Sequence, residues 1–216
     1  MSDETFEQMR RAMVASQLRT TAVNDARVVA AMGQVPRERF VPADKSRLAY
    51  ADMALPIGDG RAINPPMVIG RLLTEARPDT NDRVLLVGAG TGYAAELLAR
   101  LVGTVVALEQ DAALLACARA AVTAANVRLV EGDLAAGWGE GAPYDLIVID
   151  GAVEQVPPTL VEQLADGGRL VAPIMEQGVT RLSIGRRAGG GFGMTSFADS
   201  AAAPLPGFAR PVEFSF

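Results

Sequence analysis

The sequence predicts an α/β fold, a mainly parallel sheet with helices on both faces, with a helical segment before it and a hairpin after it. Three observations predict this. Between Arg83 and Pro173, apolar runs of strand length alternate with stretches of helical spacing, the pattern of a parallel sheet. The first of these runs breaks into a glycine-rich turn that leads directly into helical spacing. Acidic residues follow the next three runs, and in an open parallel sheet the carboxyl ends of the strands are where ligands bind.

Taken in order, residues from Glu7 to about Ala76 read as helical, with breaks at Gly33, Pro36, Pro42 and the Pro56 to Pro66 stretch. Asn24 and Asp25 stand as a cap before the short helix Ala26 to Met32, and Gly33 is expected to close it. Val84-Leu85-Leu86-Val87 is a continuous apolar run, as expected for a strand covered on both faces. It enters the turn Gly88-Ala89-Gly90-Thr91-Gly92 and then a helix, Tyr93 to Leu101. Val105 to Leu108 is a second strand ending at Glu109, Val127 to Val130 a third ending near Asp133, and Leu146 to Ile149 a fourth ending at Asp150. Leu170-Val171-Ala172 is a fifth. Val179 to Arg187 and Gly191 to Ala198 flank Ala188-Gly189-Gly190 as a hairpin. A loose loop, Ala201 to Gly207, and a last strand to Phe216 complete the chain. The whole reads as one domain in three parts: 1–76, a core over 77–175, and a hairpin and tail over 176–216.

Composition narrows the chemistry. Half of the 216 residues are hydrophobic, enough for a substantial core. The formal charge is −5, from 20 basic and 25 acidic residues, a field that draws in neither nucleic acid nor an anionic membrane. The chain has no histidine, which removes Ser-His and Cys-His catalysis and most zinc and iron sites; no metal is expected. Cys117 is the single cysteine, so an internal disulfide is ruled out. It sits in the alanine-rich stretch Ala112 to Ala125 and is expected to be a small buried thiol. Met1 to Thr5 is polar and acidic, and no apolar run is long enough to span a bilayer. The cytoplasm is the expected compartment.

The glycine turn discriminates between cofactors. A dinucleotide turn reads Gly-x-Gly-x-x-Gly and would need glycine at position 93, where this chain has Tyr93. Its register is Gly-x-Gly-Thr-Gly instead, which argues against a nicotinamide dehydrogenase. Glycines let the backbone turn sharply and let a ligand come close. Glu109 lies close to twenty residues beyond the turn, where an acid accepts hydrogen bonds from ribose hydroxyls; a solvated loop acid is the alternative. Asp133, in Glu131-Gly132-Asp133-Leu134, can accept from an adenine amino group or cap its own loop. Asp150 either faces the reacting end of a ligand or serves as a turn aspartate before Gly151.

Together these residues match the pattern of S-adenosylmethionine (SAM)-dependent methyltransferases, whose fold is Rossmann-like. The match implies Gly88, Ala89, Gly90, Thr91, Gly92, Glu109, Gln110, Asp133, Leu134 and Asp150 as cofactor-binding residues, with S-adenosylhomocysteine (SAH) as product. The flanks narrow the family. Met32 to Pro42 (Met-Gly-Gln-Val-Pro-Arg-Glu-Arg-Phe-Val-Pro), Ala49-Tyr50-Ala51-Asp52 and Leu55-Pro56-Ile57-Gly58 resemble the protein-L-isoaspartate O-methyltransferases. Val156-Pro157-Pro158 and Leu164 to Pro173 do so too. The resemblance runs from about residue 9 to residue 175 in order. It implies methyl transfer to the α-carboxylate of isoaspartyl residues in damaged proteins. A carboxylate is already ionised near neutral pH, since its reference pKa is about 4. It needs orientation more than a base, which suits a chain without histidine.

Two departures fall at the expected substrate side. Where the family usually reads Gly-Gln-Thr-Ile-Ser-x-Pro, this chain has Gly60-Arg61-Ala62-Ile63-Asn64-Pro65-Pro66, so Ala62 and Asn64 replace both hydroxyl side chains. Asn64 can still donate through its amide, and Arg61 can add a charge-assisted bond. Asp150 stands where the family usually has a small neutral residue, and could act as base for a hydroxyl or amine acceptor. Asn64, Arg61 and Asp150 are therefore the expected catalytic set. A methyltransferase with another acceptor and a SAM-binding paralogue without isoaspartyl activity are the alternatives.

Overall fold

The computed structural model describes residues 3–210; the end of the strand expected to reach Phe216 lies outside them. Helix α1 (Asp3–Met13) runs into a π turn (Val14–Leu18) and a 3-10 turn (Arg19–Thr21). Helix α2 (Ala26–Gln34) is capped by Asp25, whose carboxylate accepts the N–H groups of Arg27 and Val28. Gly33 does not close α2: the helix runs through it to Gln34. The stop comes from Pro36, which holds the residue before it out of the helical region; Val35 has ψ 120°.

The expected break at Pro56 to Pro66 contains structure that the periodicity did not show. Strands β1 (Leu55–Gly58) and β2 (Arg61–Ile63) pair antiparallel, with Gly58 opposite Arg61. Asp59 (φ 45°) and Gly60 (φ 72°) form the two-residue loop, and positive φ at both positions is the demand of the tight hairpin turn that Asp-Gly favours. Helix α3 (Pro66–Ala76) follows, starting on a proline whose missing N–H needs no partner there.

The core is a seven-stranded sheet. Its strands are β3 (Arg83–Val87), β4 (Thr104–Glu109), β5 (Val127–Glu131), β6 (Tyr144–Ile149), β7 (Leu164–Glu176), β8 (Val179–Ala188) and β9 (Gly191–Asp199). Their order is β5-β4-β3-β6-β7-β8-β9. The first five are parallel, and β8 and β9 add antiparallel. Strand β7 is longer than the expected Leu170 to Ala172 because β8 pairs with it from Arg169 to Glu176. Helix α4 (Tyr93–Leu98) ends one turn before the expected Leu101.

Alternation along β3 sends side chains to two cores. Val84 and Leu86 join a cluster with Met32 of α2, Leu72 and Leu73 of α3, and Leu97 and Leu98 of α4. Leu85 and Val87 join a second cluster with Leu160 of α6 (Pro158–Glu162), Leu205 and Phe208. Helix α5 (Ala112–Ala121) buries Leu114, Leu115 and Ala118. Cys117 lies off that face and is exposed, not buried as expected. In so alanine-rich a helix, composition alone does not mark which side turns inward. Among the described residues no helix is long and apolar enough to cross a membrane.

Leu85 is fully buried between β4 and β6. Leu85→Ala is expected to lower unfolding stability by about 2–5 kcal/mol through lost burial and a residual cavity. Urea denaturation checks it, and a loss below about 1 kcal/mol would show that the second core can collapse around the gap.

Candidate functional site

The glycine turn forms where β3 ends. The Gly88 and Ala89 N–H groups donate to the Leu108 carbonyl (3.0 and 2.9 Å), tying the turn to β4. Gly88, Gly90 and Gly92 have φ of +83°, +54° and +99°, a region L side chains avoid. At Gly92 a Cβ would also strike Val122 Cγ2 at 2.5 Å. The Thr91 hydroxyl donates to the Phe40 carbonyl (2.6 Å), so it anchors the turn to the Met32 to Pro42 segment.

Beside the turn, Glu109 is fully buried at the end of β4. Its Oε2 accepts the Gly90 N–H (2.7 Å), and its Oε1 accepts those of Gln110 (3.0 Å) and Asp111 (3.1 Å). Arg61, on β2, completes the set: Nη1 donates to Oε1 at 2.8 Å and Nη2 to Oε2 at 3.1 Å. This bidentate pair is nearly dry, with Arg61 only 7% exposed.

A second polar cluster lies under the same sheet edge. Asp150 follows β6, which pairs with β3, and its N–H donates to the Val87 carbonyl (3.0 Å). Asn64 Nδ2 donates to Asp150 Oδ1 at 2.8 Å, and Asn64 Oδ1 accepts the Ala203 N–H at 2.8 Å. One amide thus joins the β1–β2 side, the sheet edge and the tail. The tail is pinned further by Ala152 N–H to the Ala203 carbonyl (2.7 Å) and Leu205 N–H to the Ala152 carbonyl (2.8 Å). The Leu205 side chain covers Gly88 and Gly151, whose added Cβ atoms would each come within 2.8 Å of it.

Sequence reasoning missed the group beneath Asn64. Arg37 is fully buried; Nε donates to the Ala49 carbonyl (2.7 Å) and Nη2 to the Asn64 carbonyl (2.6 Å). Its guanidinium lies 4.7 Å from the centre of the Tyr93 ring. Arg37 stands inside the Met32 to Pro42 segment, so the signal was present, but nothing local told a buried cation from a surface one. The tail residues Ala203 and Leu205 carried no signal at all.

Of the expected residues, the structure brings Arg61, Gly88, Ala89, Gly90, Thr91 and Asp150 around one cavity, together with Tyr93 and Ile57. Its volume is about 10 Å³, close to the space of one water. Glu109 sits behind Arg61. Asn64, Gly92, Gln110, Asp133 and Leu134 stand outside the lining. Gln110 contributes its N–H to Glu109, Leu134 is buried in the second core, and Asp133 caps its own loop by accepting the Ala135 (2.7 Å) and Ala136 (3.2 Å) N–H groups.

Burial pushes the Asp150 carboxyl above its ordinary value of 3.8, against the lowering effect of the Asn64 hydrogen bond and of the Arg37 and Arg61 cations. The native state therefore holds this proton more tightly than the unfolded chain. Stability from this group falls as pH rises from the ordinary value through the raised one. Asp150→Asn keeps an oxygen for Asn64 and removes the titration. Its melting temperature is expected to gain on wild type as pH climbs through that window, and a difference that stays flat across pH would refute the burial account.

A family model described as protein-L-isoaspartate(D-aspartate) O-methyltransferase (PCMT) matches residues 8–204. The protein-L-isoaspartate O-methyltransferase of Methanoregula boonei is 46% identical over 168 residues, 76% of this chain and 77% of that protein. The one of Methylorubrum populi is 42% identical over 199 residues, 91% and 94% of the two chains. A solved protein-L-isoaspartate O-methyltransferase superposes with a TM-score of 0.80 at 26% identity, over 92% of this chain and 66% of its own. A Plasmodium falciparum structure, described as a putative enzyme of this type in complex with SAH, has the same fold at 20% identity and a TM-score of 0.80.

Proposed function

This chain belongs to the protein-L-isoaspartate O-methyltransferase family, and on that premise we propose that it methylates the α-carboxylate of isoaspartyl residues in damaged proteins. SAM is the methyl donor. The observation that carries the reading is the buried carboxylate of Glu109, fixed by the Gly90 N–H at the mouth of the glycine turn. The residues fit the cofactor in kind: backbone at positive φ that admits close approach, and a strand-end acid beside it.

Bound SAM supplies a methyl group on a sulfonium, which a carboxylate takes directly, so that the sulfonium becomes a thioether and the acid an ester. The protein supplies placement. Gly88 to Gly92 and Glu109 would hold the adenosyl part, with Asp150 beside it. Arg61 and Asn64 stand on the acceptor side, the first on the hairpin strand and the second just past its end. No side chain has to remove a proton, because the acceptor is already ionised near neutral pH. Rate then comes from orientation and proximity.

Millimolar SAM or SAH is expected to raise the melting temperature, as any ligand specific for the native state does; no shift would refute the cofactor assignment. Labelled-methyl transfer to an isoaspartyl peptide, with the aspartyl peptide as control, tests the acceptor. Transfer seen only after Ala62→Thr with Asn64→Ser would assign the wild type a different acceptor. Glu109→Gln is expected to weaken SAM by about tenfold or more, the scale of a lost hydrogen bond to a charged group, read by calorimetry. Unchanged affinity would remove Glu109 from the site.

A further inference from the structure

Glu109 has no acceptor capacity to spare. An ionised carboxylate offers about four lone-pair sites, and five N–H bonds already reach this one: three from the backbone of Gly90, Gln110 and Asp111, and two from Arg61. The backbone donors belong to the glycine turn and to the junction of β4 with α5, and cannot leave without unmaking both. The Arg61 fork is the detachable pair, carried on a short two-stranded hairpin. A guanidinium edge and a ribose diol present the same thing to a carboxylate: two adjacent donors. They compete for one place.

We propose that Arg61 changes partner during the reaction cycle: it holds Glu109 until the cofactor's ribose takes that carboxylate, and the freed guanidinium then becomes the counter-ion of the acceptor's carboxylate. This rests on the carboxylate acceptor proposed above. Once displaced, Arg61 is a buried cation that needs a new anion. Asp111 is engaged as the cap of α5, accepting the Ala113 and Leu114 N–H groups. Asp150 lines the same cavity, but it already takes Asn64 on Oδ1 and its burial raises the carboxyl above the ordinary value, which makes it the poorer counter-ion. Across Leu55 to Ile63 no other side chain carries a donor, and the Asn64 amide, with one N–H on Asp150 and its oxygen on the Ala203 N–H, has a single neutral N–H left. Arg61 is thus the charged donor that the β1–β2 hairpin has for an incoming acid, in the stretch where Ala62 and Asn64 stand. A planar fork matches a carboxylate in two bonds.

The exchange makes the order of binding a property of the site. Before the cofactor arrives, the acceptor meets an Arg61 already neutralised by Glu109. Afterwards it meets an uncompensated positive charge. Such coupling is reciprocal, so an acceptor carboxylate must also tighten cofactor binding.

Calorimetry with SAH, which supports no turnover, tests this without relying on activity. In wild type, an isoaspartyl peptide is expected to bind about tenfold more tightly with SAH present than without, the worth of one charge-assisted pair. Arg61→Gln is expected to bind SAH at least as tightly as wild type, since a competitor is gone, while the peptide binds weakly with or without SAH. Arg61→Lys keeps the charge and should retain part of the coupling, which separates loss of charge from misfolding. Two results would overturn the exchange. One is Arg61→Gln losing SAH affinity tenfold with peptide coupling intact, which makes Arg61 a structural clamp. The other is wild type binding peptide equally well with and without SAH. Methyl transfer by wild type to an isoaspartyl peptide, alongside an unchanged peptide KM in Arg61→Gln, would sink the exchange and leave the proposed function standing. Absent transfer, with Arg61→Gln still binding SAH more tightly, would sink the acceptor and the second half of the exchange with it.

Discussion

The buried pair between Arg61 and Glu109 is where the parts of this molecule meet. Two charges removed from water are unfavourable unless each finds complementary charge and hydrogen bonds. Glu109 finds both, from backbone donors on two loops and a guanidinium fork from the N-terminal part of the chain. That demand fixes where the β1–β2 hairpin sits. It also orders the turn after β3, since the Gly90 N–H must aim at the carboxylate. A single side chain thus aligns the glycine turn, the end of β4 and the hairpin.

The second polar cluster does the same work on the other side of the turn. Asn64 is both donor and acceptor, so it can bind the Asp150 carboxylate and the Ala203 N–H together. Arg37 supports Asn64 from below through its backbone carbonyl and packs on Tyr93. Because Leu205 then packs on Gly88 and Gly151, the tail is held against the glycine turn rather than being an appendage. Arg61 reaches into the glycine-lined space, where the cavity is small.

Much of this was readable from local pattern. The apolar runs over Arg83 to Pro173 located four strands closely, since a period of two or an unbroken buried run follows from backbone geometry alone. The hairpin Val179 to Ala198 was equally plain, because a Gly-Gly turn between strand-like runs has few other uses. The β1–β2 hairpin escaped notice although Asp59-Gly60 signalled it: the flanking strands are four and three residues long, too short for a period to show. Gly33 misled because a glycine closes a helix only where the chain must turn left-handed there, and Pro36 had already imposed the stop. Cys117 misled because its helix has many small residues and little contrast between faces.

By itself the sequence determined the layered α/β plan, the glycine register that separates this turn from a dinucleotide turn, and a chemistry that does without histidine. These depend on residues near one another in the chain, where spacing and side-chain type suffice. The tertiary structure decided what each acid does. Glu109 takes a cation from 48 residues away, Asp150 an amide from 86, and that amide a tail N–H from 139, while Asp133 turns inward on its own loop. Partners so distant are chosen by how the packed elements aim their side chains and by the need to satisfy every buried charge, and no local pattern encodes that choice.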